Sequence, residues 1–302
     1  MNIADPVASV NGVRTALARD AYGFEILQDL DELPEAPAAS LLRHRAAVLF
    51  KPETIKARRV DDGFTFLAGH GFRPIMVTEV PFNRNLVRAF WSASPALTRP
   101  TRAFCAVLDA YLISTPWLFA LLDAVVVAPE YATASRRLAS LKGPSAPDAR
   151  RPGQLRWQLT QGNATALFTF AHAADDEVQF VRELAMFFGV RQRSALLDAA
   201  AAAREVDPAP HIDALYRRHA PHDLDLGRAV DRIVRAGQGR VESREVRVWC
   251  DAAARGELAW LRLVELLAGA DVDPWDLIVF GAAVTALPAR APDEKTAGGD
   301  SP

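Results

Sequence analysis

The residues best able to do chemistry stand where an apolar run ends. Phe168-Thr169-Phe170-Ala171 leads into His172, and the carboxylates of Asp175 and Asp176 follow closely. An imidazole is uncharged and nucleophilic near neutral pH, and its two nitrogens can divide attack and anchoring between them. Taken alone, a histidine at a strand end serves packing or hydrogen bonding as readily as catalysis. This one has company. Asp176 and Gln179 have the spacing of a capping box, which predicts a helix starting there. Val181, Leu184, Ala185 and Phe188 then fall on one face of that helix. With the charged residues upstream, the set points to phosphoryl transfer through a phosphohistidine.

The elements that must position these residues read as an α/β pattern. Ala46 to Phe50 and Phe72 to Val80 are predicted strands, with a helix from Arg59 to Gly69 between them. Asn83 to Ser92, Arg102 to Leu112 and Tyr131 to Leu141 are predicted helices, and Trp117 to Val127 supplies one long or two short strands. Pro144, Pro147, Pro152 and Gly153 make Gly143 to Gly162 a loop. Thr165 to Ala171 is the predicted last strand. Strands interrupted by helices at this spacing imply an α/β sandwich with helices on one face of a small sheet.

Residues 1–40 read as an acidic extension with one helix near Val13 to Arg19, ahead of a domain over 41–190. Residues 191–288 read as a mainly helical region. Gly256 to Gly269 is apolar almost all round and so expected to be buried, Val246 to Cys250 fits strand or helix, and Asp273-Pro274 opens a final apolar helix through Ala286. Residues 289–302 read as a disordered tail.

Composition narrows the function classes. The chain has 302 residues, of which 50% are hydrophobic and 24% charged, and its net charge of −2 carries no footprint of nucleic-acid binding. Cys105 and Cys250 are isolated, offering neither disulfide framework nor metal site. Met1 to Ala8 lacks a basic leader, and the longest apolar run, Pro116 to Ala128, is too short to span a bilayer and contains Asp123. A cytoplasmic protein with no membrane partner is expected. There is no phosphate-binding Gly-x-x-x-x-Gly-Lys loop and no zinc spacing. His219 and His222 bracket Pro221 without the setting that His172 has.

Four blocks in order resemble the nucleoside diphosphate kinase family: Ala47-Val48-Leu49-Phe50-Lys51-Pro52-Glu53; Gly71-Phe72-Arg73-Pro74-Ile75; Gly143-Pro144-Ser145-Ala146-Pro147 with Pro152-Gly153-Gln154-Leu155-Arg156; and His172 to Phe188 without a gap. The likeness covers Arg45 to Phe188, about half the chain. It implies an α+β, ferredoxin-like sandwich with an antiparallel sheet, joined here to the helical C-terminal region. It also implies that His172 carries a γ-phosphate from ATP to a nucleoside diphosphate or related acceptor, with magnesium. By the same resemblance Glu183 would hold the ring's other nitrogen, Lys51, Arg156 and Ser145 would meet phosphates, Phe104 would stack on the base, and Asp175 would approach the metal. Trp91 stands where the family has a tyrosine, Thr169 where it has the ribose-binding asparagine, and Ala173-Ala174 where it has Gly-Ser, whose hydroxyl helps orient the glutamate. A phosphate-binding arginine falls on Ala139, with Arg136 or Arg137 as substitutes from a shifted turn. Nucleotides are the expected partners, and a homodimer is the expected assembly because the C-terminal helices should cover surfaces that simpler family members use to associate. Two other readings stand beside the enzyme: a catalytically weakened nucleotide-binding module that contacts a partner protein, and a specialised metabolite kinase.

Overall fold

The computed structural model describes residues 10–91, 101–127, 129–161, 165, 167–237, 243–256 and 259–285. The N-terminal Met1 to Ala8, Ser92, Gly162, Leu258 and the tail after Pro288 lie outside the described residues.

Four strands make the sheet: β1 (Arg45–Phe50), β2 (Phe72–Val80), β3 (Trp117–Ala124) and β4 (Ala171–Ala173). Their order is β2-β3-β1-β4, with every neighbouring pair antiparallel. Helices connect β1 to β2 and β3 to β4, which is the ferredoxin-like arrangement of an α+β sandwich. A second pair of helices, Arg84–Phe90 and Arg102–Leu112, is inserted between β2 and β3.

Every residue of β1 and β3 is buried, so both faces of the central strands are covered rather than one. The Val60–Gly69 helix lies against the Phe50 side: Phe64 meets the Phe50 ring at 5.1 Å, and a Cβ on Gly63 would come within 2.2 Å of that ring. Cross-strand partners share a face, so Leu49, Phe119 and His172 belong to the other one. There Phe119 packs edge-on against Phe188 at 4.9 Å, and Arg45, ion-paired to Asp123, donates to the Ala200 carbonyl at 2.7 Å.

The extension at the start of the chain is more ordered than its sequence implies. It forms three helices, Val10–Leu17, Ala21–Glu32 and Glu35–His44. Pro34 and Pro37 look like helix breakers, yet they occupy the N-cap and first turn of the third helix, where no N–H is missed. Val13, Ile26, Leu30 and Leu42 join the core of the sheet domain.

The last predicted strand is also displaced. Among the described residues from Thr165 to Ala171, only Ala171 is in the ladder, because Phe170 has a φ of +63° that ends extended backbone before it. That conformation is fixed from several sides: Glu53 Oε1 accepts from the Phe170 N–H at 2.6 Å, Lys51 N–H donates to the Phe170 carbonyl at 2.9 Å, and the Thr54 hydroxyl donates to the same oxygen. The predicted loop Gly143 to Gly162 contains a short helix, Leu155–Leu159. Val246 to Cys250 is helical, within Ser243–Ala254. The Trp260–Leu266 helix buries only one side, through Trp260 and Leu263.

The C-terminal helices are not an appendage. Leu196, Leu215, Trp275, Ile278 and Val279 share one core with the sheet, and a second cluster joins Val107 to Ile233, Trp260 and Phe280. The His222 ring Nε2 bonds Asp276 at 2.9 Å, Arg232 reaches the same carboxylate at 2.8 Å, and the His222 backbone N–H donates to the Lys56 carbonyl at 2.9 Å. A chain ending at Gly189 is therefore expected to aggregate or lose cooperative melting, since those apolar surfaces would face water. Calorimetry on the truncated chain checks this, and a soluble protein melting like the full chain would sink it.

Candidate active site

β4 is only three residues long, but its pairing fixes where His172 points. His172 sits opposite Leu49 on β1, and its ring opens onto a cleft of about 1120 Å³. Phe90, Trp91, Lys142, Gly143, Ser145, Arg156, Asp175, Gln179 and Arg182 line that cleft with it. The volume is ample for a nucleotide-sized ligand.

The Glu177–Phe187 helix begins where the sequence indicates, with the side chain of N-cap Asp176 accepting from the Gln179 N–H at 2.8 Å. The reciprocal half of the capping box goes one residue upstream: Gln179 Oε1 accepts from the Asp175 N–H. One turn further, Glu183 is 3% exposed, and its Oε1 lies 2.9 Å from His172 Nε2. A carboxylate can only accept, so Nε2 carries the proton and Nδ1 keeps a lone pair. Phe90 packs edge-on against the ring at 4.6 Å and limits its rotation. Burial lowers the His172 pKa below the usual imidazole range, and the charges of Lys142 and Arg156 add to this against Glu183.

That shift fixes the sign of the pH dependence. The folded imidazole stays neutral at a pH where an unfolded histidine, with its pKa near ~6.5, is already half protonated. On acidification the unfolded chain takes up the proton first, so His172 costs stability as pH falls through that window. Any reaction needing the neutral ring is expected to keep its neutral-pH rate to below pH ~6.5. A rate-against-pH profile with its acid midpoint at or above that value would contradict this.

Two buried cations belong to the cleft. Arg156, on the Leu155–Leu159 helix, donates through Nε to the Ala171 carbonyl at 3.1 Å and through Nη1 to the Gly143 carbonyl at 2.9 Å. Burial, with Arg150 nearby, draws its pKa down to about 10. Gly143 is held at φ +80°, and a Cβ there would stand 2.7 Å from Gln154 Oε1, so this turn requires glycine. Lys142 is the cation that sequence reasoning misses. Its Nζ donates to the Ala173 carbonyl and to Asp175 Oδ1, each at 2.6 Å, immediately beside the histidine strand. Arg136 and Arg137, the expected substitutes, are engaged elsewhere: Arg136 with Glu177, and Arg137 with the Val126 and His70 carbonyls.

The structure thus gathers His172, Glu183, Arg156, Ser145, Trp91 and Asp175 at or beside one cleft. Lys51, Thr169 and Phe104 are not among its lining residues. Lys51 is buried, its Nζ 3.0 Å from Thr169 Oγ1 and 3.4 Å from Glu53, with the Tyr111 ring at 5.0 Å. Burial pushes its pKa down to about 8, helped by Arg156 and Arg150 and opposed by Glu53. Phe104 is 2% exposed, in the core of the Arg102–Leu112 helix. Among the described residues, the Phe, Trp or Tyr side chains that line the cleft are Phe90 and Trp91.

Among the described residues, no three His, Cys, Asp or Glu side chains gather to hold a metal ion. Asp175 is three-quarters exposed and paired to Lys142. Among the described residues no helix is long and apolar enough to cross a membrane.

No protein-family profile and no curated protein matches the chain. Among solved structures it is similar to a nucleoside diphosphate kinase from Encephalitozoon cuniculi, 18% identical over 48% of this chain and 89% of that one, with a TM-score of 0.38. The Aquifex aeolicus nucleoside diphosphate kinase is 16% identical over 49% of this chain and 96% of its own, TM-score 0.38. A halophilic nucleoside diphosphate kinase from Halobacterium salinarum, solved with CDP, is 19% identical over 51% and 98%, TM-score 0.39.

Proposed function

We propose that the protein is a nucleotide-dependent phosphotransferase in which His172 carries the phosphate. One observation supports this above the others: a neutral imidazole whose Nε2 is fixed by Glu183 lines a cleft that also holds Arg156 and Lys142. Nδ1 attacks the γ-phosphorus of ATP, a P–N bond forms, and the P–O bond to the β-phosphate breaks, releasing ADP. Positive charge that develops on the ring is offset by Glu183. Arg156 and Lys142 offset negative charge on the phosphate oxygens, the main electrostatic task in this chemistry. An acceptor phosphate oxygen, or a hydroxyl oxygen that gives its proton to solvent, then takes the group as the P–N bond breaks, and the neutral ring is restored.

Magnesium fits this site as a companion of the nucleotide. Phosphate oxygens supply most ligands to the ion in such sites, with one or two carboxylates added, and Asp175, which lines the cleft beside His172, could add one. When bound, the ion would neutralise phosphate charge; Lys142 already holds Asp175 toward the cleft.

A nucleoside diphosphate is the first acceptor to test. That Lys51, Thr169 and Phe104 do not line the cleft favours a second reading, in which the acceptor is another phosphorylatable metabolite. Incubation with γ-labelled ATP and magnesium is expected to leave one acid-labile, base-stable phosphate per chain. The label should then be chased by the right acceptor from a panel of nucleoside diphosphates and hydroxylated metabolites. Absence of any such label would refute the phosphohistidine.

A further inference from the structure

Ala173 and Ala174, which follow the histidine, have no side-chain donor with which to orient Glu183. Gln179 does so instead. Its Nε2 donates to Glu183 Oε1 at 2.6 Å, one helical turn away, while its Oε1 accepts from the Asp175 N–H at 3.0 Å. Among the described residues, Glu183 Oε1 has His172 Nε2 and Gln179 Nε2 as its side-chain partners. The Gln179 backbone is meanwhile held by Asp176, so the residue is anchored at both ends.

We propose that Gln179 is a positioning residue that fixes the protonation geometry of His172 through Glu183. The inference rests on the reading of His172 as the nucleophile for its importance, but not for its test. An ionised carboxylate bonded to a single partner can swing about its last torsion. The amide donor removes that freedom and keeps Oε1 aimed at Nε2, so the proton stays on Nε2 and the lone pair on Nδ1. Glutamine is suited to this because one planar amide has both an acceptor for the loop N–H and a donor for the carboxylate. Glutamate would keep the first contact and turn the second into repulsion. Methionine would keep the shape and lose both.

Gln179→Glu and Gln179→Met separate these roles. Three quantities decide the matter in each folded variant: the rate of phosphoenzyme formation, the imidazole ¹⁵N shifts of His172, and its titration midpoint. The charged groups about the ring besides Glu183 are Lys142, Arg156 and Asp175, all unchanged in both variants. Both variants are expected to lose about 10- to 100-fold in rate, as partners that orient a working imidazole do. ¹⁵N shifts should move from a pure Nε2–H tautomer toward a mixture. The midpoint should rise in Gln179→Glu, where a second carboxylate faces the pair, and stay near wild type in Gln179→Met. Unchanged shifts together with unchanged rates in both variants would overturn the proposal. If the wild type takes up no phosphate at all, the transfer reading fails by itself, and the ¹⁵N tautomer comparison still decides the role of Gln179.

Discussion

Replacement of His172 by asparagine is expected to abolish phosphoryl transfer while leaving nucleotide binding within a few fold. Asparagine keeps a polar amide at the strand end and can still meet Glu183, so the cleft should hold its shape. It has no nitrogen lone pair able to attack phosphorus, and the covalent path is closed. The ring touches Phe90 and Glu183, and asparagine can keep the polar contact, so the melting temperature should change little. Turnover with ATP and a range of acceptors, beside calorimetric titration of a non-hydrolysable nucleotide, reads both halves. Transfer by His172→Asn at more than about a thousandth of the wild-type rate would mean that the group moves directly or through another residue.

The second large effect is expected from the buried cations of the cleft, Arg156 and Lys142. Arg156→Ala and Lys142→Ala should each slow transfer by about 100- to 1000-fold, roughly 3–4 kcal/mol of transition-state stabilisation in a water-poor site. Lys142→Ala also frees Asp175, so its dependence on magnesium should change where that of Arg156→Ala does not. Lys51→Ala provides the contrast. Its ammonium lies among Glu53, Thr169 and Tyr111 rather than on the cleft, and removing it leaves Glu53 buried without its charge partner. Loss of one partner of a buried pair costs about 3–5 kcal/mol, so that variant should lose stability first and rate second. Single-turnover rates with melting curves separate the two kinds of loss. Wild-type rates in both Arg156→Ala and Lys142→Ala would place the phosphates elsewhere.

What the sequence could and could not disclose follows from the range of each interaction. The Asp176 cap and the helix after it are local and can be read from spacing, whereas the pairing of His172 with Glu183 was implied only by the family resemblance. The succession of strands and helices was legible because their periods alternate over short distances, whereas the antiparallel ferredoxin-like topology was implied by the family resemblance. Lys142 was not. A lysine at a helix C-terminus before glycine looks like a solvated charge suited to the helix dipole, and its contacts lie 31 and 33 residues ahead in Ala173 and Asp175. Phe168 to Ala171 has strand composition, but the turn at Phe170 depends on Glu53 and Thr54, far upstream. Lys51 shows the converse. Its place at the end of β1 is local, whereas the Tyr111 and Trp117 rings that enclose it come from the inserted helices and β3. Of the helices in the first 44 residues, one was expected near Val13 to Arg19, and Glu35–His44 was obscured by prolines whose places at its N-cap and first turn only the structure shows.

The atom that bears the phosphate decides the matter most directly. ³¹P and ¹⁵N spectra of the trapped phosphoprotein, with its histidines ¹⁵N-labelled, should show phosphorus coupled to Nδ1 of His172 and a proton retained on Nε2. Phosphorus on Nε2 would contradict the role given to Glu183, and phosphorus on oxygen, at Ser145 or a carboxylate, would contradict transfer through His172.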